Sequence, residues 1–237
     1  MNLIHSLPRA LTAFLCLATL PLVAAPIPGL FNTGVGTNGI ALANGATNTQ
    51  WRLIQSADPA SPGPNVIVVM DNLFPIVAGP WLASSAISKW VGPKADQSGG
   101  SAAGDYKYRI TFDLTGLEAS TAVISGRWSS DNAGPELLLN GVPTGFTSDG
   151  NFGGLGNSFT ITTGFVDGTN TLDFLVNNAG TTANPTALRV EFLSATADLQ
   201  PPPGTPPTIT ASPASATVGF LDPATFTVGA SGSRPFT

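Results

Sequence analysis

Apolar and polar residues alternate with a period of two through most of the region 30–198. In "YKYRITFDLT", Tyr106, Tyr108, Ile110, Phe112 and Leu114 share one face, and Lys107, Arg109, Thr111 and Asp113 share the other. "NTLDFLVNN" sets Leu172, Phe174 and Val176 against Asp173, Leu175 and Asn177, and "ALRVEFLSA" sets Leu188, Val190 and Phe192 against Arg189 and Glu191. "TAVISGRW" and "SFTITTGF" contribute Ala122, Ile124, Trp128, Phe159 and Ile161 to the apolar side. Side chains on a strand point alternately to opposite faces, so each run predicts a half-buried strand, and no stretch of the mature chain carries a helical stripe. One-sided alternation predicts antiparallel sheets packed face to face, because buried parallel strands read apolar throughout.

Turn chemistry agrees. Asn140-Gly141 fits a tight type I′ hairpin, whose two central residues both need positive φ, and "VDGTN" at 166–170 supplies a second turn before a strand. Many short strands joined by Gly/Pro/Asn turns predict an all-β, antiparallel β-sandwich of jelly-roll type over 30–198.

Composition changes the picture in one respect. Only 10% of the 237 residues are charged and the formal net charge is −5, against roughly a quarter charged in an average soluble domain. A weakly acidic chain without Lys/Arg clusters argues against nucleic acid or an anionic membrane as partner.

The first 24 residues read as a secretory signal peptide. "MNLIHSLPR" is a short basic start and "ALTAFLCLATLPLV" an apolar run of about 14 residues, followed by small residues with the cut expected after Ala24. That run is shorter than the ~20 residues of a spanning helix, so the mature chain is expected not to insert into a membrane. Cleavage removes Arg9, the sole histidine (His5) and the sole cysteine (Cys16). The exported chain then has no imidazole, thiol or disulfide. Histidine triads, cysteine nucleophiles and the usual zinc sites are excluded.

Beyond the main region, "LQPPPGTPPT" at 199–208 is a proline-rich linker, expected to be extended and semi-rigid. Residues 209–237 begin a second β module and stop well short of the roughly 100 residues an immunoglobulin-like sandwich needs.

The succession "YRITFDL", "AVISGRWSSDN", "LLLNG", "FTITTGFVDGTNTLDFLVNN" and "ALRVEF" resembles the galactose-binding-like jelly-roll modules. With "WRLI" and "SAISKWVGP" upstream, it is similar to the modules of secreted bacterial surface proteins of the PEP-CTERM type. The tail resembles the start of a bacterial immunoglobulin-like repeat, here incomplete. The resemblance implies a fold and a location at the cell surface or outside the cell. It implies no particular ligand, since such modules bind sugars, lipids, proteins or nothing known.

Candidate chemistry gathers at the loop after Trp128. Asp131, Asn132 and Glu136 offer oxygens for Ca²⁺ or sugar hydroxyls; alternatively the Asx side chains cap their own loop. Asp149 and Asn151 form a second polar loop that reads as a solvated turn. Trp81 and Trp90, in Gly/Pro-flanked segments, are candidate platforms for a sugar ring, or else packing residues like Trp51 and Trp128. Lys107, Arg109 and Arg127 form either a small basic patch for an acidic group or cross-strand partners of Asp113 or Glu191. A hydrolytic pair of Asp131 and Glu136 lacks a cleft to work in, so the chain reads as a non-enzyme. Two functions stand open: a secreted module binding carbohydrate or another extracellular polymer through Asp131, Asn132, Arg127 and Trp81 or Trp90, or a structural spacer or adhesion segment with no small ligand.

Overall fold

The computed structural model describes residues 24–200, 204–219 and 222–232. Nearly all of the expected signal segment, including His5 and Cys16, and prolines 201–203 lie outside the described residues. The chain falls into two compact units, one ending at Leu199 and the other starting at Gln200.

The first unit is all β. Its strands are β1 (Ala24–Pro26), β2 (Thr47–Gln55), β3 (Asn65–Val68), β4 (Val91–Gly92), β5 (Gly104–Asp113), β6 (Val123–Asp131), β7 (Ala133–Leu139), β8 (Val142–Pro143), β9 (Asn157–Ile161), β10 (Thr169–Asn178) and β11 (Ala187–Asp198). They form one antiparallel sheet in the order β8-β7-β10-β5-β2-β3-β4-β11-β6-β9, with β1 added to β11. The only helical element among the described residues is a single 3-10 turn at Ala119–Thr121.

The sheet is strongly curled. Trp128 of β6 meets Phe174 of β10 at a ring separation of 5.2 Å, although five strands lie between them in the sheet order. Phe159 of β9 also meets Phe174, and Trp51 of β2 meets Phe192 of β11. Such contacts require the two ends of the sheet to turn their apolar faces toward each other. Tyr106, Tyr108, Ile110, Phe112, Leu172, Phe174, Val176, Leu188 and Val190 are all buried in this core, as their alternation predicts. At ~25 cal/mol per Å² of apolar surface removed from water, this core is the main stabilising term in a chain without disulfides.

The β7–β8 hairpin turns at Asn140 (φ 52°) and Gly141 (φ 80°), the two positive values the sequence predicts. Asn140 tolerates the conformation because its side chain is fixed: Oδ1 accepts from Thr171 N and Nδ2 donates to Asn170 Oδ1. A Cβ at Gly141 would meet nothing within 4 Å, so Gly141→Ala isolates the backbone penalty. Chemical denaturation is expected to show a loss of about 1 kcal/mol, whereas Asn140→Gly relieves the backbone but gives up the side-chain bonds to Thr171 and Asn170.

Two features depart from simple alternation. Ala187 through Glu191 are buried on both faces of β11. The outer face is covered by the segment 69–90, whose Trp81 and Trp90 form a second apolar cluster with Val69 and Ala187. Second, Arg109 and Arg127 do not share a patch, because β5 and β6 are far apart in the sheet order.

In the second unit, β12 (Thr208–Ala211) and β13 (Gly229–Ser231) pair antiparallel. Ile209 and Phe226 are each 61% exposed, so this pair builds no core among its described residues.

Candidate functional site

β6 delivers Asp131 to the end of the sheet, and a cis peptide links it to Asn132 before β7 begins. The Asp131 carboxylate does not face solvent. Its Oδ2 accepts from Trp81 Nε1 at 2.6 Å, its main-chain carbonyl accepts from the Thr186 hydroxyl, and Oδ1 is buried with no hydrogen-bond partner. Burial drives the pKa up to about 6, and the indole hydrogen bond only partly opposes it.

Asn132 is spent on the backbone. Its Oδ1 accepts from Ala179 N at 2.8 Å, which ties the β6–β7 connection to the chain leaving β10. Glu136 lies inside β7 opposite Leu175 rather than in a loop. Among the described residues, no three His, Cys, Asp or Glu side chains gather where they could hold a metal ion. The structure does not bring Asp131, Asn132 and Glu136 together as a group: one is buried against an indole, one bonds the backbone, and one belongs to a strand.

Of the two alternatives for Trp81 and Trp90, the structure places both in packing positions. Trp81 is 4% exposed and Trp90 is fully buried. Their rings lie 4.7 Å apart, and Trp90 Nε1 donates to Leu82 O. Neither offers a face on which a sugar could stack. Both glycine/proline-flanked stretches looked like rim loops in sequence, but they fold over the sheet.

Arg127 pairs across the strands with Glu191, its Nε and Nη2 both reaching Oε2 at 2.9 and 2.7 Å. Arg109 makes the same kind of pair with Asp173 at 2.6 and 2.7 Å. The cross-strand alternative thus holds for Arg127 with its expected partner, and for Arg109 with Asp173 in place of Asp113. Asp149 caps its own turn, its Oδ1 accepting from Asn151 N and Asn157 Nδ2.

Sequence reasoning missed the strongest polar cluster. Arg189, 2% exposed, donates from Nε to Ser88 Oγ, from Nη1 to Ala83 O and from Nη2 to Ser85 Oγ. Ser88 in turn donates to Glu191 Oε1. Burial works to raise the Glu191 pKa, but the bonds from Ser88 and Arg127 outweigh it and hold the carboxyl below its ordinary value. The only hint in sequence is the serine-rich "SSAISKW", which carries no spacing rule.

Also unforeseen is a cleft of about 350 Å³ lined by Val142, Pro143, Thr144, Phe146, Thr160 and Ile161, among others. It lies where β8 and β9, the two outermost strands of the sheet order, come together.

Comparison with known proteins finds no family model, no curated protein and no solved structure that matches this chain.

Proposed function

We propose that the chain is a non-catalytic module of an exported surface protein, acting as a structural spacer or adhesion segment. One observation carries this reading. The side chains best suited to grip a small ligand are consumed by the fold itself: Trp81 and Trp90 inside the cover of the sheet, Asp131 against Trp81, and Arg127 on Glu191. A scaffold that spends its polar and aromatic groups on internal rigidity suits a module that transmits position rather than one that captures a ligand. The curled sheet, with its apolar faces turned together, supports a β-sandwich of jelly-roll type. The order of strand motifs supports the galactose-binding-like resemblance. The proline-rich 199–208 segment followed by an immunoglobulin-like start fits a string of modules.

The cleft favours a second reading, a weak neutral-glycan site. Half-buried Phe146 and Thr144, with the exposed Thr160, Thr162 and Thr163, offer an apolar ring and hydroxyls without charge.

The two separate cleanly in one experiment. Purified protein is passed over immobilised neutral and acidic polysaccharides and, in parallel, incubated with intact bacterial cells. The spacer or adhesion reading expects no saturable polysaccharide retention together with cell-surface association. Saturable retention that is lost in Phe146→Ala transfers the assignment to the cleft.

A further inference from the structure

Three reactive groups meet outside the sites above. Asn44 sits in the turn before β2, Asp71 follows β3, and Lys89 ends the covering segment. Lys89 Nζ lies 3.2 Å from Asn44 Oδ1 and 3.0 Å from Asp71 Oδ2, while Asn44 Nδ2 donates to Asp71 Oδ1 at 2.7 Å. One carboxylate therefore bridges an amine and a side-chain amide that already touch. Each member is fixed by neighbouring backbone: Gly45 N bonds Val68 O, Met70 N bonds Ala95 O, and Lys89 N bonds Thr33 O. The lysine side chain is 14% exposed and the aspartate 31%.

We propose that Lys89 and Asn44 form an intramolecular isopeptide bond, with Asp71 as the proton-transferring group. The Lys89 ammonium gives a proton to Asp71 and becomes a neutral amine. Its lone pair attacks Asn44 Cγ, forming the N–C bond while the carbonyl π pair moves to Oδ1. As the intermediate collapses, Nδ2 takes the proton held by Asp71, the carbonyl re-forms and the Cγ–Nδ2 bond breaks; the lysine nitrogen gives up its extra proton to Asp71, which passes it to the departing ammonia. The lysine's positive charge departs as ammonium, so atoms and charge balance and no oxidant or other reactant is needed. Geometry supplies what the isolated groups lack. Holding amine, amide and carboxylate within hydrogen-bond distance turns an extremely slow encounter into an intramolecular step. Asp71 prefers to stay ionised: the Asn44 hydrogen bond holds its pKa below the ordinary value, with Lys89 adding to it against burial. Proton transfer onto Asp71 is therefore uphill and the bond forms slowly.

The product would join the turn before β2 to the end of the covering segment, a covalent clamp in a chain whose mature form has no cysteine. This goes beyond the spacer reading and does not depend on it.

The test is the intact mass of the purified full chain, with its N-terminus verified, measured under denaturing conditions after extended incubation. The expected result is a deficit of about 17 Da, one ammonia, together with a branched peptide joining Asn44 to Lys89. Lys89→Arg keeps the charge beside Asp71 but is expected to restore the full mass, and Asp71→Asn is expected to do the same with both reacting partners present. Attack on Asn44 by the Gly45 nitrogen would also release ammonia, but it leaves a linear peptide and persists in Lys89→Arg. An unmodified mass in the parent protein, or a deficit that survives Lys89→Arg, overturns the proposal.

Discussion

Replacing Arg189 with alanine is expected to destabilise the first unit by about 3–5 kcal/mol, the range for removing one member of a buried ionic network. The guanidinium bonds two serine hydroxyls and a main-chain carbonyl of the covering segment. Without it the buried Ser88 hydroxyl loses its donor, at about 1–3 kcal/mol for a buried group left unsatisfied, and the half-buried Ser85 and exposed Ala83 lose their link to β11. Arg127 continues to neutralise Glu191, so the loss falls mainly on the attachment of the segment 69–90. Limited proteolysis is expected to cut within that segment before the rest of the unit opens, and urea denaturation to show the lowered stability. Arg189→Met keeps most of the aliphatic bulk and separates packing from hydrogen bonding. A loss under about 1 kcal/mol, or cleavage unchanged in the 69–90 segment, would mean that the apolar contacts of Trp81 and Trp90 hold the cover alone.

That network also marks where the sequence stopped being readable. The strands of the curled sheet were legible because burial on one face imposes a period of two, as in Tyr106, Tyr108 and Ile110 or Leu172, Phe174 and Val176. The hairpin at Asn140-Gly141 was legible because few residue pairs accept two positive φ values. Arg189 and Glu191 obey the same alternation and so looked solvent-facing. What buries them is a segment about a hundred positions earlier with no strand pattern of its own, and a single chain holds no signal for that pairing. Trp81 and Trp90 were ambiguous for the same reason. Glycine and proline around an indole mark an irregular backbone, and irregular backbone over a sheet looks in sequence like irregular backbone at a rim. Asp131 was read as a candidate ligand or loop cap; in the fold its carboxylate accepts from Trp81, another candidate for the same site. Residues chosen separately for binding chemistry turned out to satisfy one another.

The Asp131 pair gives the fold a pH dependence opposite to that of Asp71, Asp113 and Glu191. In the folded chain the Asp131 pKa is about 6, against an ordinary 3.8, chiefly because burial disfavours the carboxylate. Below pH 4 both folded and unfolded chains hold the proton, and the group costs nothing. Between about pH 4 and 6 the folded chain keeps a proton that the unfolded chain has released, so stability falls as pH rises through this window. Above it a constant penalty on the order of 2–3 kcal/mol remains. Asp71, Asp113 and Glu191, with lowered pKa values, act in the other direction and lose stability only as the medium becomes more acidic than their ordinary range. Stability should therefore peak in mildly acidic solution. Asp131→Asn retains an acceptor for Trp81 Nε1 without a charge, so it is expected to flatten the slope between pH 4 and 6. At pH 7.5 it should raise the melting temperature by about 5 °C, since 1 kcal/mol moves a domain of this size by a few degrees. Trp81→Phe removes the bond that favours the carboxylate and should carry the sloping window to higher pH, a shift that mere loss of packing does not produce. Melting curves across pH 3–8 for the parent and both variants check this, and a parent whose stability rises steadily to pH 8 rules out a buried, unpaired Asp131.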